Sequence, residues 1–342
     1  MPWGLVGQER PLKILANMIG NGRLPHGLLL TGATGTGKYT LALSLAQALN
    51  CENPEPDRSP CRQCVSCKKI AGDVHPDVSV LNPKGKLHII RIEDVRELRD
   101  ALNFRPYEAK YKVAIIRSAE RFREDAGGAL LKTLEEPTPD TVLILTAISP
   151  GGVMETLVSR CVKVKVSPLS RDRIFAALSA KGLDLKLSHI LAGLSGGALG
   201  LALGLDSALT LSVWDSVDRL FGIAEGPKYL KAAIEWTATF AGEVEKLEKE
   251  DETGGKSRFM ALVMDSIRLW WRDVAVLAAT GKNEALLGPP PSMAQKKWAK
   301  TITARTVVGL ESAMAKLADG LNRSMGLTLM FENYWLDVLQ YF

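Results

Sequence analysis

The order of residues 28 to 46 constrains the fold of this chain more than any other feature. An apolar run, Leu28-Leu29-Leu30, leads into Gly32-Ala33-Thr34-Gly35-Thr36-Gly37-Lys38 and then into Thr40-Leu41-Ala42-Leu43-Ser44-Leu45-Ala46. These three pieces read as strand, tight loop and helix, the context that a Walker A phosphate loop requires. Its glycines let backbone N–H groups wrap an anion, the helix N-terminus adds its positive dipole end, and Lys38 is placed to reach terminal phosphates. The following position should carry the short hydroxyl that ligates Mg²⁺, but it is Tyr39. A phenol is too long and flat for that task, and Thr40 lies roughly 100° further round the helix. Gly32, Gly35, Thr36, Gly37, Lys38, Tyr39 and Thr40 therefore either hold nucleotide or keep only a relic of its site, and ATP with Mg²⁺ is doubtful as a cofactor.

Residues 1 to 167 continue this theme by alternating strand-like and helical patterns, the signature of a parallel sheet covered by helices. The strand-like runs are Leu28–Thr31, Val78–Leu81, Val113–Ile116, Val142–Thr146 and Val162–Val166. Between them Ile92, Val95, Leu98 and Leu102 recur at helical spacing, as do Ala129, Leu130 and Leu134, and Pro137 and Pro139 stop that second helix. From 168 to 210 the pattern is of short helices broken at Ser195-Gly196-Gly197, and from 211 to 342 long amphipathic stretches such as Phe259–Ala279 and Val307–Leu321 imply a helical domain. Three domains in 342 residues agree with a prior of about 150 residues each. The charge-dense Glu243–Lys256 reads as a solvated helix end running into a loop, and Gly288-Pro289-Pro290-Pro291 as a stiff connection. Six of the seven tryptophans lie beyond residue 211, where core or interface packing is their expected role.

A net charge of +5 is compatible with nucleic acid nearby without requiring it. The N-terminus shows no charged region followed by an apolar core, and no apolar run reaches about 18 residues, so a cytoplasmic chain without a membrane span is expected. In such a compartment cysteines point to metal rather than to disulfides. Cys51, Cys61, Cys64 and Cys67 form C-x9-C-x2-C-x2-C, suited to a closed tetrahedral thiolate site for structural zinc, with unliganded or redox cysteines as the alternative. Cys161 stands alone and reads as a small buried hydrophobe. At the end of Val113-Ala114-Ile115-Ile116, where acidic residues would hold Mg²⁺ and polarise water, stand Arg117 and Ser118, with Glu120 the nearest candidate substitute.

Leu24-Pro25-His26-Gly27 before the loop, the cysteine module after it, His75-Pro76-Asp77, the run from Ala129 through Pro137 and the triplet Ser159-Arg160-Cys161 together resemble the AAA+ clamp-loader subunits of bacterial DNA polymerase III. The resemblance covers the first domain, weakens in the second and is thin in the third. It implies an α/β AAA+ P-loop domain at 1–167, a five-stranded parallel sheet with helices on both faces and a zinc module at 51–67, followed by a small helical lid at 168–210 and an all-α collar at 211–342. Tyr39, Arg117-Ser118 and Leu201, which stands where active members carry a second-sensor arginine, resemble the delta-prime type, a partner with an eroded site. The segment Asn322–Leu339 resembles its closing helical region. That type would assemble with tau/gamma and delta subunits to place the beta sliding clamp on primed DNA. Arg160 would serve as an arginine finger toward ATP held by a neighbour, and Thr146 would stand at the first sensor. The alternative within the family is an ATP-hydrolysing tau/gamma motor with Thr40 and Glu120 as substitute ligands, although no stretch beyond the helical region suggests the extension of a full tau.

Overall fold

The computed structural model describes residues 2–85, 87–223, 226–250, 255–322 and 327–340. Its contacts divide the chain into two compact units, Met1–Arg173 with Gly197–Leu201, and Ile174–Gly196 with Ala202–Phe342. The segment 168–210, expected to form a lid, contributes to both.

The first unit is built on five strands: β1 (Gly27–Thr31), β2 (Val78–Leu81), β3 (Lys112–Ile116), β4 (Thr141–Ala147) and β5 (Val162–Lys165). All neighbouring pairs are parallel, in the order β2-β3-β4-β1-β5. β1 is therefore flanked on both sides, with Leu30 beside Thr146 of β4 and beside Val164 of β5. β1, β3 and β4 are buried along their whole length and read as near-continuous apolar runs, whereas β5 alternates valine with exposed lysine as an edge strand. The pleat then divides each run between two cores. Leu28, Leu30, Val113, Ile115 and Ile144 face one core with Leu15 of α1 (Glu9–Gly20) and Leu41 and Leu45 of α2 (Lys38–Asn50). Leu29, Ala114, Ile116, Leu143 and Leu145 face the other. The short α3 (Val65–Ala71) follows α2, and the second face is covered by α4 (Ile92–Leu102), α5 (Glu124–Glu135) and α6 (Glu155–Val158), through Val95, Leu130 and Leu157 respectively.

Asp77 ties the approach to β3. It is almost fully buried at the start of β2, and its carboxylate accepts the backbone N–H groups of Tyr107 at 2.7 Å and of Glu108 and Ala109 at 2.9 Å each. This folds the 104–110 loop around one anion.

The second unit holds the remaining helices: most of α7 (Arg171–Ser179), then α8 (Leu185–Leu194), the end of α9 (Leu199–Gly204), α10 (Ser207–Gly222), α11 (Gly226–Glu250), α12 (Gly255–Thr280), α13 (Met293–Trp298), α14 (Ala304–Asn322) and α15 (Leu327–Leu339). Its core centres on Phe221, whose ring lies 4.6 Å from Trp270 and 4.8 Å from Trp271. Buried indoles need an acceptor. Trp270 Nε1 donates to Asp218 at 2.8 Å, Trp298 Nε1 to the Phe221 carbonyl at 2.8 Å and Trp335 Nε1 to Thr237 Oγ1 at 2.9 Å. These tryptophans thus serve the core. Residues 251–254 of the charge-dense stretch and 323–326 of the closing helical region lie outside the described residues. Among the described residues no helix is long and apolar enough to cross a membrane.

Burial alone would raise the Asp77 carboxyl, but the three N–H groups and Lys112 outweigh it and hold the group below its ordinary value. A carboxylate depressed in the folded state stabilises above its unfolded pKa and loses that contribution as pH falls through the folded one. Asp77→Asn should therefore cost about 2–3 kcal/mol at neutral pH. Urea midpoints taken from neutral pH downward should show the loss shrinking below about pH 4, the ordinary carboxylate range.

Candidate nucleotide pocket and metal centre

The loop between β1 and α2 is closed on itself. Gly37 caps α2 in the left-handed region, with φ of 95°. Lys38 Nζ turns back to donate to the carbonyls of Gly32 at 2.6 Å and Ala33 at 2.8 Å, and Thr36 Oγ1 donates to Ala33 O at 2.8 Å. Burial lowers the Lys38 ammonium pKa while the charge of Glu120 opposes that shift. A second segment of the same unit sits on the loop, for Gly200 N–H donates to Gly35 O at 2.8 Å. Gly35 has φ of 77°, and a Cβ there would fall 2.7 Å from Leu201 Cγ and 2.8 Å from Leu201 N. Leu201 thus packs against the loop from the position where the family resemblance implies an arginine.

The two positions expected to hold Mg²⁺ instead contact each other. Arg117 Cζ lies 4.3 Å from the centroid of the Tyr39 ring, and Arg117 Nη1 donates to Asn82 Oδ1 at 3.1 Å. A guanidinium on an aromatic face is worth about 0.5–2 kcal/mol according to its exposure. Burial pushes the Tyr39 phenol up, Asp73 adds to that, and Arg117 opposes both. Thr40 is exposed, and Thr146 Oγ1 accepts the Ser118 N–H at 3.1 Å. Glu120 Oε2 is buried without a hydrogen-bond partner. A hard cation prefers oxygen ligands, and the pair at 39 and 117 offers a ring and a positive charge, so these residues do not fit Mg²⁺.

The cysteines form a separate cluster. The four Sγ atoms of Cys51, Cys61, Cys64 and Cys67 all lie within 4.8 Å of one another. A tetrahedral shell with Zn–S bonds of about 2.3 Å places its sulfurs about 3.8 Å apart, so the donor set and spacing fit zinc with small adjustment. Cys51 ends α2 and Cys64 caps α3. Backbone N–H groups already point at sulfur: Cys61 N to Cys51 Sγ at 3.3 Å, Cys64 N to Cys61 Sγ and Cys67 N to Cys64 Sγ at 3.4 Å each. The N–H groups of Cys64 and Gln63 bring the Cys61 thiol down to about 6, whereas burial pushes Cys51 and Cys67 up. Gln47 Nε2 fixes the module to α2 by donating to Cys67 O at 2.9 Å. Cys161 is buried, and burial raises its thiol to about 11.

Arg160 lies between α6 and β5, in neither cluster. Its guanidinium pairs with Glu135 at the end of α5 and donates to Thr156 O at 3.0 Å. The pair is exposed on both sides.

Fold and loop together define a P-loop α/β domain followed by a helical region. Residues 7–170, just under half of the chain, match the family model for DNA polymerase III, delta subunit. The chain is 33% identical over 174 residues to the gamma subunit of DNA polymerase III from Buchnera aphidicola of Acyrthosiphon pisum. It is 32% identical over 188 residues to the delta' subunit, and 33% over 175 residues to the tau subunit, both of Bacillus subtilis. These matches span 51%, 55% and 51% of this chain and 47%, 56% and 30% of those relatives, so about half of their length or less is represented. Among solved structures, a gamma-subunit-related protein from Thermotoga maritima aligns with 97% of the chain and 100% of its own at 16% identity and a TM-score of 0.44. The first half of the chain is thus similar to subunits of DNA polymerase III, among them delta', tau and gamma.

Sequence reasoning missed Asn82, Glu135 and the buried Gln8, whose side chain donates to Ser167 O at 2.6 Å and accepts the Ser167 N–H at 3.2 Å. Only Glu135 carried a signal, as part of the run that ends at Pro137. The close approach at Gly35 gives a direct test. Gly35→Ala should lower stability by about 1–3 kcal/mol through overpacking and its positive φ. Gly128→Ala on α5, where an added Cβ meets nothing within 4 Å, should be neutral or stabilise by up to about 1 kcal/mol. Paired urea melts distinguish the two.

Proposed function

We propose that this chain is a clamp-loader subunit of the delta-prime type, silent as an ATPase on its own. The observation that carries the proposal is the contact between Tyr39 and Arg117 at the two positions where a motor holds its metal. In this reading it assembles with tau/gamma and delta subunits, and through that complex acts on the beta sliding clamp and primer-template DNA. The helical region from 211 onward serves as the collar of the ring and the 168–210 segment as the lid. Arg160 is exposed and anchored by a surface ion pair, so a neighbour's nucleotide can compete for it. An aimed guanidinium compensates charge on a loosening terminal phosphate and is worth roughly 10³ to 10⁵ in rate. Cys51, Cys61, Cys64 and Cys67 hold one structural zinc, which leaves no open ligand position for catalysis.

A motor reading of tau/gamma type is favoured by one feature, Glu120 acting on Lys38 near the loop. Turnover decides between them. The isolated chain should hydrolyse ATP at background, and addition of tau/gamma, delta, clamp and primed DNA should produce turnover. With Arg160→Ala the site that faces this chain should lose about 10³-fold or more. Mg²⁺-dependent turnover by the chain alone would establish the motor instead.

Elemental analysis of gently purified protein should find one zinc per chain. Its removal by a chelator should loosen the 51–67 module, seen as increased proteolysis there, because a structural zinc contributes directly to folding.

A further inference from the structure

Tyr39 is the second residue of α2 and Arg117 follows β3, the two places from which a hydrolysing phosphate loop directs ligands at one divalent cation. Here they direct an aromatic ring and a guanidinium at each other, 4.3 Å from carbon to centroid, with Asn82 orienting the guanidinium from the end of β2. We infer that the loop 32–38 binds the phosphates of a nucleotide without a divalent cation, Arg117 on Tyr39 taking over the metal's share of the charge.

Three features support this. The loop itself retains what holds phosphate: left-handed glycines at 35 and 37, Lys38, and the first amides of α2, which a helix start leaves without intrahelical acceptors. Lys38 Nζ donates to two loop carbonyls, an arrangement that an incoming phosphate can replace with a charge-assisted bond. Arginine is permanently charged, suits bidentate phosphate contacts and keeps its stacking on an aromatic ring while making them. A divalent cation entering the same place would meet Arg117 and find neither a short hydroxyl at 39 nor a carboxylate at 117. The Tyr39–Arg117 pair then gives the pocket a phosphate affinity that chelators do not remove, together with an inability to polarise attacking water.

The inference rests on the reading of this loop as a non-hydrolysing nucleotide pocket, and is independent of the role of Arg160. Titration calorimetry of the isolated full chain with ADP and with ATP, once in Mg²⁺ and once in EDTA, tests it. The expected result is binding in both buffers, with dissociation constants that agree within about twofold, and a loss of about tenfold in Arg117→Ala, the factor for one charge-assisted contact. The double change Tyr39→Thr with Arg117→Asp should make binding depend on Mg²⁺. An affinity that falls more than about tenfold when Mg²⁺ is removed from the unaltered chain overturns the inference. So does the absence of binding by either nucleotide in either buffer, an outcome that leaves the silent-partner proposal standing. Mg²⁺-dependent turnover would instead defeat that proposal.

Discussion

The first unit depends on the immobility of β1. It is hydrogen-bonded to β4 on one side and β5 on the other, and Leu28, Leu29 and Leu30 are buried against helices on both faces. A strand held on four sides fixes where the chain must turn, so the phosphate loop leaves the sheet at a determined point and α2 starts at a determined angle. Because α2 ends at Cys51, the cysteine module inherits its position from the same strand. Truncating any one of these leucines would cost about 2–5 kcal/mol and would loosen the loop with it.

With the backbone scaffold held, side-chain identity can change the chemistry while the frame persists. The loop keeps its glycines, its lysine and its helix start, and the change is confined to residues that project from its rim. Tyr39 and Arg117 compensate each other: a lone arginine at the end of β3 would lack a partner across the pocket, and a lone tyrosine would leave a ring face unused. Leu201 packs an apolar side chain against the same loop at Gly35.

The five strands were legible to within one residue at each end, the three inner ones because strands buried on two faces must be apolar throughout, the edge strands β2 and β5 because their valines recur at every second position. Their spatial order was not, since the pairing of β4 between β1 and β3 depends on contacts remote in sequence. The convergence of four cysteines followed from their spacing, and the alternation of short helices from 168 to 210 from its glycines. The stacking of Arg117 on Tyr39 was hidden, for each residue could be read only as a missing ligand until the sheet brought β3 beside the helix start. Asp77 was hidden differently. Its triplet was visible as a motif, but the partners of its carboxylate are backbone amides of a loop whose side chains do not encode the contact.

The ion pair between Arg160 and Glu135 has a kinetic consequence. Both groups face solvent, where such a pair is worth no more than about 1 kcal/mol, a population ratio of about five. Exposed side chains exchange rotamers in picoseconds to nanoseconds. The guanidinium therefore visits its released state many thousands of times within any domain motion, and its departure from Glu135 needs no gate, hinge or signal. In the proposed role of Arg160, the tether would therefore not set the pace at which the guanidinium reaches a neighbour.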